Sequence, residues 1–338
     1  MVVAMRRQAN VWQRVVLYTN GWGRMDTLGT VTNAQTTSYQ PISCRRVSGR
    51  YVMVCSNGYV YVSNTGESWR GIGATNRGLR AADINTINGN IYATEYVEQN
   101  FVRILYTVDY INWITYRELS NTWSYFNPDW FFGYYCKTQD DGYTYISEDQ
   151  YDNIIVRDSW DDYGDRNSAY CNVWKFGDNS PVLYNQNYWG YARLANSFPW
   201  YFLDYTNFHR TYCAAIANGK FVKYMHFYCN YYPNFFLYNY EYKPLYVDGT
   251  LVTMPSSNHV TDCVYIGGKY IVSTTGDEVF TTTDFSTYTL KISSNAKKMR
   301  VYGNIAYICT NGGLYTTTDG STFTSQDNTK EYYDVAVA

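Results

Sequence analysis

Four stretches of this 338-residue chain superpose without a gap, and that repetition limits the available folds more than any other feature. They are Tyr61-Val-Ser-Asn-Thr-Gly-Glu-Ser-Trp69, Leu105-Tyr-Thr-Val-Asp-Tyr-Ile-Asn-Trp113, Phe280-Thr-Thr-Thr-Asp-Phe-Ser-Thr-Tyr288 and Tyr315-Thr-Thr-Thr-Asp-Gly-Ser-Thr-Phe323. Each opens on an aromatic or apolar residue and closes on an aromatic. The fifth place is Asp109, Asp284 or Asp319, with Thr65 in the remaining copy. Tyr145–Asp149 and Trp200–Phe208 are weaker copies. Upstream of three copies the chain also repeats, as in Gly49–Gly58, Gly268–Gly276 and Gly303–Gly312. Runs of Val, Ile, Tyr and Thr lie there between Gly or Asn-Gly turns, the signature of tight hairpins.

Each unit therefore predicts four short strands. The anchors Thr65, Asp109, Asp149, Asp204, Asp284 and Asp319 are 44, 40, 55, 80 and 35 residues apart, and the gap of 80 leaves room for a further copy near Tyr238–Tyr242. Units of about 40 residues with four strands are propeller blades. The expectation is one all-β domain over residues 1–338: a β-propeller of seven blades of four antiparallel strands, with six or eight as the alternative counts. A ring must hide the edge at which it closes. The last residues, Tyr332–Ala338, read as a strand and are expected to pair with an N-terminal strand at Val11–Thr19.

An Asp at a hairpin corner can accept backbone N–H groups two and three residues on, so Asp109, Asp284 and Asp319 read as turn residues. The closing rings, among them Trp69, Trp113 and Phe323, are expected to fold between strands as structural partners of those turns. These segments resemble degenerate Asp-box repeats, the Ser/Thr-x-Asp-x-Gly-x-x-Trp turns of sialidases, related glycosidases, sortilin-type receptors and many phage virion proteins. Thr317–Phe323 matches best, with an Asp-to-aromatic spacing one residue shorter than the common form. The resemblance covers the first third and last quarter of the chain; residues 121–245 match poorly.

Catalytic signals are sparse. The resemblance implies a sialidase-like glycoside hydrolase as one alternative. Such enzymes carry a Phe/Tyr-Arg-Ile-Pro segment, and Phe101-Val-Arg-Ile104 has an inserted Val and no Pro. The carboxylate clusters Glu95/Glu98, Asp140-Asp141, Glu148-Asp149 and Asp161-Asp162 could supply the acid pair that a glycosidase needs, but sequence does not place them relative to one another. His209, His226 and His259 lack metal spacing, no Ser or Cys sits in a nucleophile elbow, and the eight cysteines contain no CxxC. No catalytic residue, metal site or cofactor is expected, and the cysteines read as reduced thiols within strands.

Composition narrows the partners. Twenty-seven basic against 29 acidic residues give a net charge of -2, which disfavours electrostatic binding of nucleic acid. No run approaches a membrane-spanning length, Met1–Arg14 is broken by Arg6 and Arg7 where a secretory signal would be apolar, and no asparagine lies in an Asn-x-Ser/Thr triplet. Aromatics are unevenly spread: 38 of the 65 fall within residues 121–245, interleaved with Asn, Gln, Asp and Pro. Tyr and Trp combine contact area with a polar tip, which suits subunit interfaces and sugar stacking alike. Trp130, Trp189, Tyr191, Tyr231 and Tyr232 are the candidate binding residues. The function expected is a non-enzymatic bacteriophage virion protein, tail-associated or on the capsid surface, made in the host cytoplasm. It would assemble in several copies with other virion proteins and adhere to a host-surface glycan. An intracellular propeller scaffold is the second alternative.

Overall fold

The computed structural model describes residues 14–26, 30–73, 76–98, 101–120, 135–150, 153–156, 170–178, 181–184, 203–231, 238–242 and 245–338. They form an all-β, seven-bladed propeller with no helix among them. The chain starts with β1 (Arg14–Tyr18), β2 (Gly21–Met25) and β3 (Val31–Thr36), three strands of blade I. Blade II is β4 (Pro41–Val47), β5 (Arg50–Cys55), β6 (Val60–Ser63) and β7 (Arg70–Gly73); blade III is β8 (Leu79–Ile84), β9 (Ile91–Glu98), β10 (Phe101–Thr107) and β11 (Ile114–Ser120). Blade IV uses β12 (Cys136–Thr138), β13 (Thr144–Gln150), β15 (Tyr170–Phe176) and β16 (Val182–Tyr184), and β14 (Asn153–Val156) lies in its β13–β15 connection. Blade V is built on β17 (Leu203–Ala217) and β18 (Lys220–Tyr231), followed by β19 (Tyr238–Tyr242), β20 (Leu245–Val247) and β21 (Thr250–Val252). Blade VI is β22 (Val260–Ile266), β23 (Lys269–Thr274), β24 (Val279–Thr282) and β25 (Thr289–Ile292). Blade VII is β26 (Ala296–Tyr302), β27 (Ile305–Thr310), β28 (Gly313–Thr317) and β29 (Thr324–Asp327). The final strand, β30 (Tyr332–Val337), pairs antiparallel with β1, Val16 opposite Val335, and supplies the fourth strand of blade I.

Period-2 alternation explains why the sheets stack into a ring. Each strand has two faces, and in a propeller both are buried, against the blade before and the blade after. On β1, Val15 and Leu17 pack with Cys44, Tyr51 and Met53 of blade II, while Val16 and Tyr18 pack with Tyr307, Cys309 and Leu314 of blade VII. On β5, Tyr51 and Met53 face blade I, whereas Val52 and Val54 face Leu79, Ile84 and Leu105 of blade III. Among the described residues the core divides into seven such clusters, one at each seam between blades. Every side chain of this size contributes about 1.5–3 kcal/mol when buried. Cys44, Cys55, Cys136, Cys213, Cys263 and Cys309 are free and buried within or next to these seams, and burial pushes the Cys55 thiol up to about 12.

Two weak repeat copies turn out not to be corners. Asp149 lies inside β13, paired with Cys171 in register, and Asp204 lies inside β17, paired with Ile155. In both places the chain continues as extended strand where the corners elsewhere reverse it. Blade V differs most from its neighbours. Its β17–β18 hairpin runs 15 and 12 residues. The Thr211–Ala217 half pairs as an ordinary blade strand, and the outer half is flanked by β14 on one edge and β19 on the other. The Tyr238–Tyr242 segment, the expected place of a further copy, is that flanking strand β19, with Tyr238 opposite Tyr231.

Candidate functional site

The first strand of each blade in order, β4, β8, β12, β17, β22, β26 and, for blade I, β30, stands at the ring axis, and their side chains meet there. Arg300 of β26, 2 % exposed, is gripped at both ends. Its Nε and Nη2 donate to Asp334 Oδ1 and Oδ2, each at 2.8 Å, and its Nη1 and Nη2 donate to Asp83 Oδ2 at 2.8 Å and Asp83 Oδ1 at 3.0 Å. One guanidinium thus holds two fully buried carboxylates from blades I and III in bidentate geometry. Ser43 Oγ stands 2.5 Å from Asp83 Oδ1 and 3.2 Å from Asp334 Oδ2. Arg45 adds charge at 3.5 Å from Asp83 and donates through Nη2 to the Thr138 carbonyl at 2.7 Å. Across the axis Lys137 Nζ of β12 lies 2.5 Å from both oxygens of Asp262 on β22.

The three carboxylates share a second role. Each accepts the N–H of the residue that follows it and one N–H from the first strand of the next blade. Asp83 takes Ile84 at 2.9 Å and Thr138 at 2.7 Å; Asp262 takes Cys263 at 2.8 Å and Met299 at 2.9 Å; Asp334 takes Val335 at 2.9 Å and Cys44 at 3.1 Å. An unpaired N–H at the axis would carry a desolvation cost, and the carboxylate removes it while clasping two blades. Burial alone would raise the Asp83 carboxyl, but Arg300, then Lys298 and Arg45, hold it well below its usual value. Asp334 is lowered in the same way, against burial, by Arg300 and Lys298. Burial pulls Arg300 the other way and is outweighed by Asp334 and Asp83, so the guanidinium stays charged. None of these residues was singled out from the sequence. The signal was a lone acid inside an apolar β run, as in Thr261-Asp-Cys-Val264, Tyr333-Asp-Val-Ala336 and Ala82-Asp-Ile84.

Beside this lattice a cavity of about 270 Å³ opens among residues near the starts of the axial strands. Arg80, Lys137, Lys297 and Lys298 line it with one carboxylate, Asp262. Thr211, Tyr212 and Thr261 contribute hydroxyls to the wall. Next to it, the Tyr212 ring stacks on His259 at 4.3 Å, and the His226 and His259 rings are 4.5 Å apart.

The corners lie at the far ends of the third strands. Asp109 Oδ1 accepts N–H from Ile111 at 2.9 Å and Asn112 at 2.7 Å; Asp284 Oδ1 accepts from Ser286 at 2.9 Å and Thr287 at 3.2 Å; Asp319 Oδ1 accepts from Ser321 at 2.7 Å and Thr322 at 2.8 Å. The Asn112 and Ile111 N–H groups push the Asp109 carboxyl down. The Ser286 side chain and the N–H groups of Ser286 and Thr287 bring Asp284 to about 2, and the Thr322 and Ser321 N–H groups do the same for Asp319. A hydroxyl two places earlier completes each turn. Thr107, Thr282 and Thr317 accept the N–H of Tyr110, Phe285 and Gly320 at 2.9, 2.9 and 3.0 Å, and Ser63 accepts that of Gly66 at 2.8 Å. The residue so held has positive φ in all four corners, 67° at Tyr110 and 60° at Phe285, which Gly would meet at lower cost. The non-glycine residues pack instead: Phe285 is buried in the seam against blade V, 4.5 Å from the Tyr270 ring. Trp69 Nε1 donates to the Gly66 carbonyl at 3.1 Å, and Trp113 and Phe323 pack against the neighbouring seam clusters.

The candidate binding residues Trp130, Trp189, Tyr191 and Tyr232 lie outside the described residues, and Tyr231 is placed only as the last residue of β18. Arg103, from the Phe101–Ile104 string, is on β10, its Nε donating to Glu118 at 2.8 Å; Glu95 pairs with Arg77 at 2.8 Å. Asp141 pairs with Lys175 at 3.2 Å and accepts from the Tyr145 hydroxyl at 2.9 Å. Among the described residues no three His, Cys, Asp or Glu side chains gather as a metal site.

No family model matches the chain, and no curated protein matches it. Solved structures do. Apo AztD from Citrobacter koseri is 12 % identical, with 97 % of this chain and 98 % of that chain covered at a TM-score of 0.49. YCF48 from Cyanidioschyzon merolae is 11 % identical, with coverage of 93 % and 88 % and a TM-score of 0.46. A nidogen/laminin complex is 7 % identical, with coverage of 97 % and 98 % and a TM-score of 0.46. At such identities the likeness concerns the fold alone.

Proposed function

We propose that this propeller is a non-catalytic recognition and assembly protein of a bacteriophage virion, tail-associated or on the capsid surface, which binds a host-surface glycan and other virion proteins. What carries the non-catalytic part is the state of the axis. Its buried carboxylates and guanidinium are consumed by one another and by backbone N–H groups, so an acid pair of the kind a sialidase-like hydrolase needs is not free there. The virion part rests on the resemblance of the four corners to Asp-box turns. Adhesion rests on the concentration of aromatics in residues 121–245, where Trp130, Trp189, Tyr191, Tyr231 and Tyr232 are the assigned contacts. Several copies on one particle would raise weak individual contacts to useful avidity.

Mass spectrometry of purified particles should detect the chain, and its absence from them would remove the virion assignment. A glycan array should show binding that falls at least tenfold in the Trp130→Ala/Trp189→Ala double variant. Binding unchanged in that variant would move the adhesive surface elsewhere. Turnover of any member of a broad glycoside panel, lost on substituting a carboxylate, would replace this function with the hydrolase.

A further inference from the structure

We infer that Asn218 is a site of spontaneous covalent modification, at which the side-chain amide becomes a carboxylate. The site is independent of the virion and adhesion readings. The chemistry belongs to Asn-Gly pairs, because glycine carries no side chain to hinder attack by its own nitrogen. Hydroxide deprotonates the Gly219 nitrogen, which attacks Asn218 Cγ. An N–Cγ bond forms, the Cγ–Nδ2 bond breaks, and ammonia leaves after taking a proton from water, which regenerates the hydroxide. Water then adds to either carbonyl of the five-membered imide and opens it to aspartate or to its β-linked isomer. The balance is asparagine and water in, aspartate and ammonia out, with no enzyme and no redox partner.

The chain holds five Asn-Gly pairs, at 20–21, 57–58, 88–89, 218–219 and 311–312, and the fold protects four of them. Asn57 is 9 % exposed and its Oδ1 accepts the Tyr59 N–H at 3.1 Å, while the Gly58 N–H donates to the Cys55 carbonyl at 2.9 Å. Asn88 Oδ1 accepts the Asn90 N–H at 2.9 Å, and the Gly89 N–H donates to the Asn85 carbonyl at 2.9 Å. Asn311 is held at both ends, by the Asn295 N–H at 3.1 Å and by Asp277 at 3.3 Å, and the Gly312 N–H donates to Ser294 Oγ at 3.0 Å. Gly21 is buried in β2 opposite Tyr18, where a Cβ would lie 2.5 Å from both the Tyr18 ring and the Gln35 carbonyl. Asn218 and Gly219 differ. They form the two-residue tip of the β17–β18 hairpin, between the paired Ala217 and Lys220, with φ of 49° and 73°. Both are exposed, and no atom lies within 4 Å of the place a Gly219 Cβ would take. Among the described residues no group bonds to the Asn218 side chain or to the Gly219 N–H. The tip can therefore turn into the attack geometry without breaking a hydrogen bond, in the kind of exposed loop end where tolerance to change concentrates.

Incubation of the full chain at pH 8, followed by peptic digestion at low pH and mass spectrometry, tests the site. Asn218 should gain the mass of OH in place of NH2 at least tenfold faster than any of the other four asparagines. Conversion should quicken with rising pH, as the share of deprotonated nitrogen does, and should yield an ion-exchange peak one charge more acidic than the parent. In guanidinium chloride, where the protecting bonds are gone, all five pairs should convert at comparable rates. The Asn218→Asp variant should elute with the acidic peak and shift no further. Its thermal unfolding midpoint should stay near that of the parent, because Asp tolerates the positive φ of this turn. An Asn218 that stays intact in the folded chain while the denatured chain converts, or conversion as fast at any of the other four in the folded chain, would overturn the assignment.

Discussion

Arg300 occupies the most demanding position in the molecule, a charge with almost no exposed surface between two carboxylates with none. Removing one partner from a buried ionic group strands the others, and such losses run to about 3–5 kcal/mol. Arg300→Met should therefore lower the urea unfolding free energy at pH 7 by about that amount. Arg300→Lys should rescue little, because an ammonium cannot make two bidentate pairs. A loss below about 1 kcal/mol in Arg300→Met would mean that the lattice is decorative. The sequence did not reveal this cluster, because its members come from distant places: Asp83 is 217 residues from Arg300, and Ser43 is 291 residues from Asp334. The corner carboxylates were readable for the opposite reason. Asp109 and its donors Ile111 and Asn112 are neighbours in the chain, so the residue types alone specify the contact.

The corner works as an element because two side chains divide its backbone donors. The aspartate takes the N–H groups two and three places on, and the earlier hydroxyl takes that of the residue directly after the aspartate. Thr282 and Thr317 are both buried, at 3 % exposure, so losing either hydroxyl leaves a backbone N–H with no acceptor. Thr282→Val and Thr317→Val should each cost about 1–3 kcal/mol in chemical denaturation, and Ser substitutions should be nearly silent. Valine variants as stable as the parent would show that the N–H finds another acceptor. That hydroxyl was in plain view, as the third residue of all four aligned segments: Ser63, Thr107, Thr282 and Thr317. Spacing failed where strands outran the repeat. The acids at 149 and 204 mimic the corner pattern, but β13 and β17 extend through them, because β15 keeps pairing with β13 as far as Gln150 and β14 pairs with β17 across Asp204. A blade count by anchor spacing still reached seven because two misplacements cancel: Asp204 and Tyr238–Tyr242 both fall in blade V, and blade I holds no anchor.

At the scale of the whole ring, two devices hold the first and last blades together: pairing of β1 with β30, and Asp334 of β30, which binds Arg300 of blade VII and the Cys44 N–H of blade II. The second is ionic, so the closure is sensitive to acid. The Asp83 and Asp334 carboxyls are lowered in the folded ring, chiefly by Arg300 against the opposing effect of burial, and an unfolded Asp titrates at about 4. Their contribution is therefore fully present above about pH 4, and it is lost as pH falls through the lower folded values. Asp284 and Asp319, both at about 2, act with the same sign. Asp140 acts with the opposite one. It keeps exposed surface but is enclosed enough that burial, opposed by Lys137, raises it to about 6, so its effect is a small loss of stability as pH climbs from about 4 to 6. Urea midpoints measured from pH 7 down to pH 2 should rise slightly to a maximum between about pH 4 and 5 and then collapse. Because Asp83 and Asp334 join blades I, II, III, IV and VII through shared partners, the collapse should be a single transition, coincident by fluorescence and circular dichroism. A midpoint that stays flat to pH 2, or blades that melt in separate steps, would mean that the apolar seams close the ring without the ionic axis.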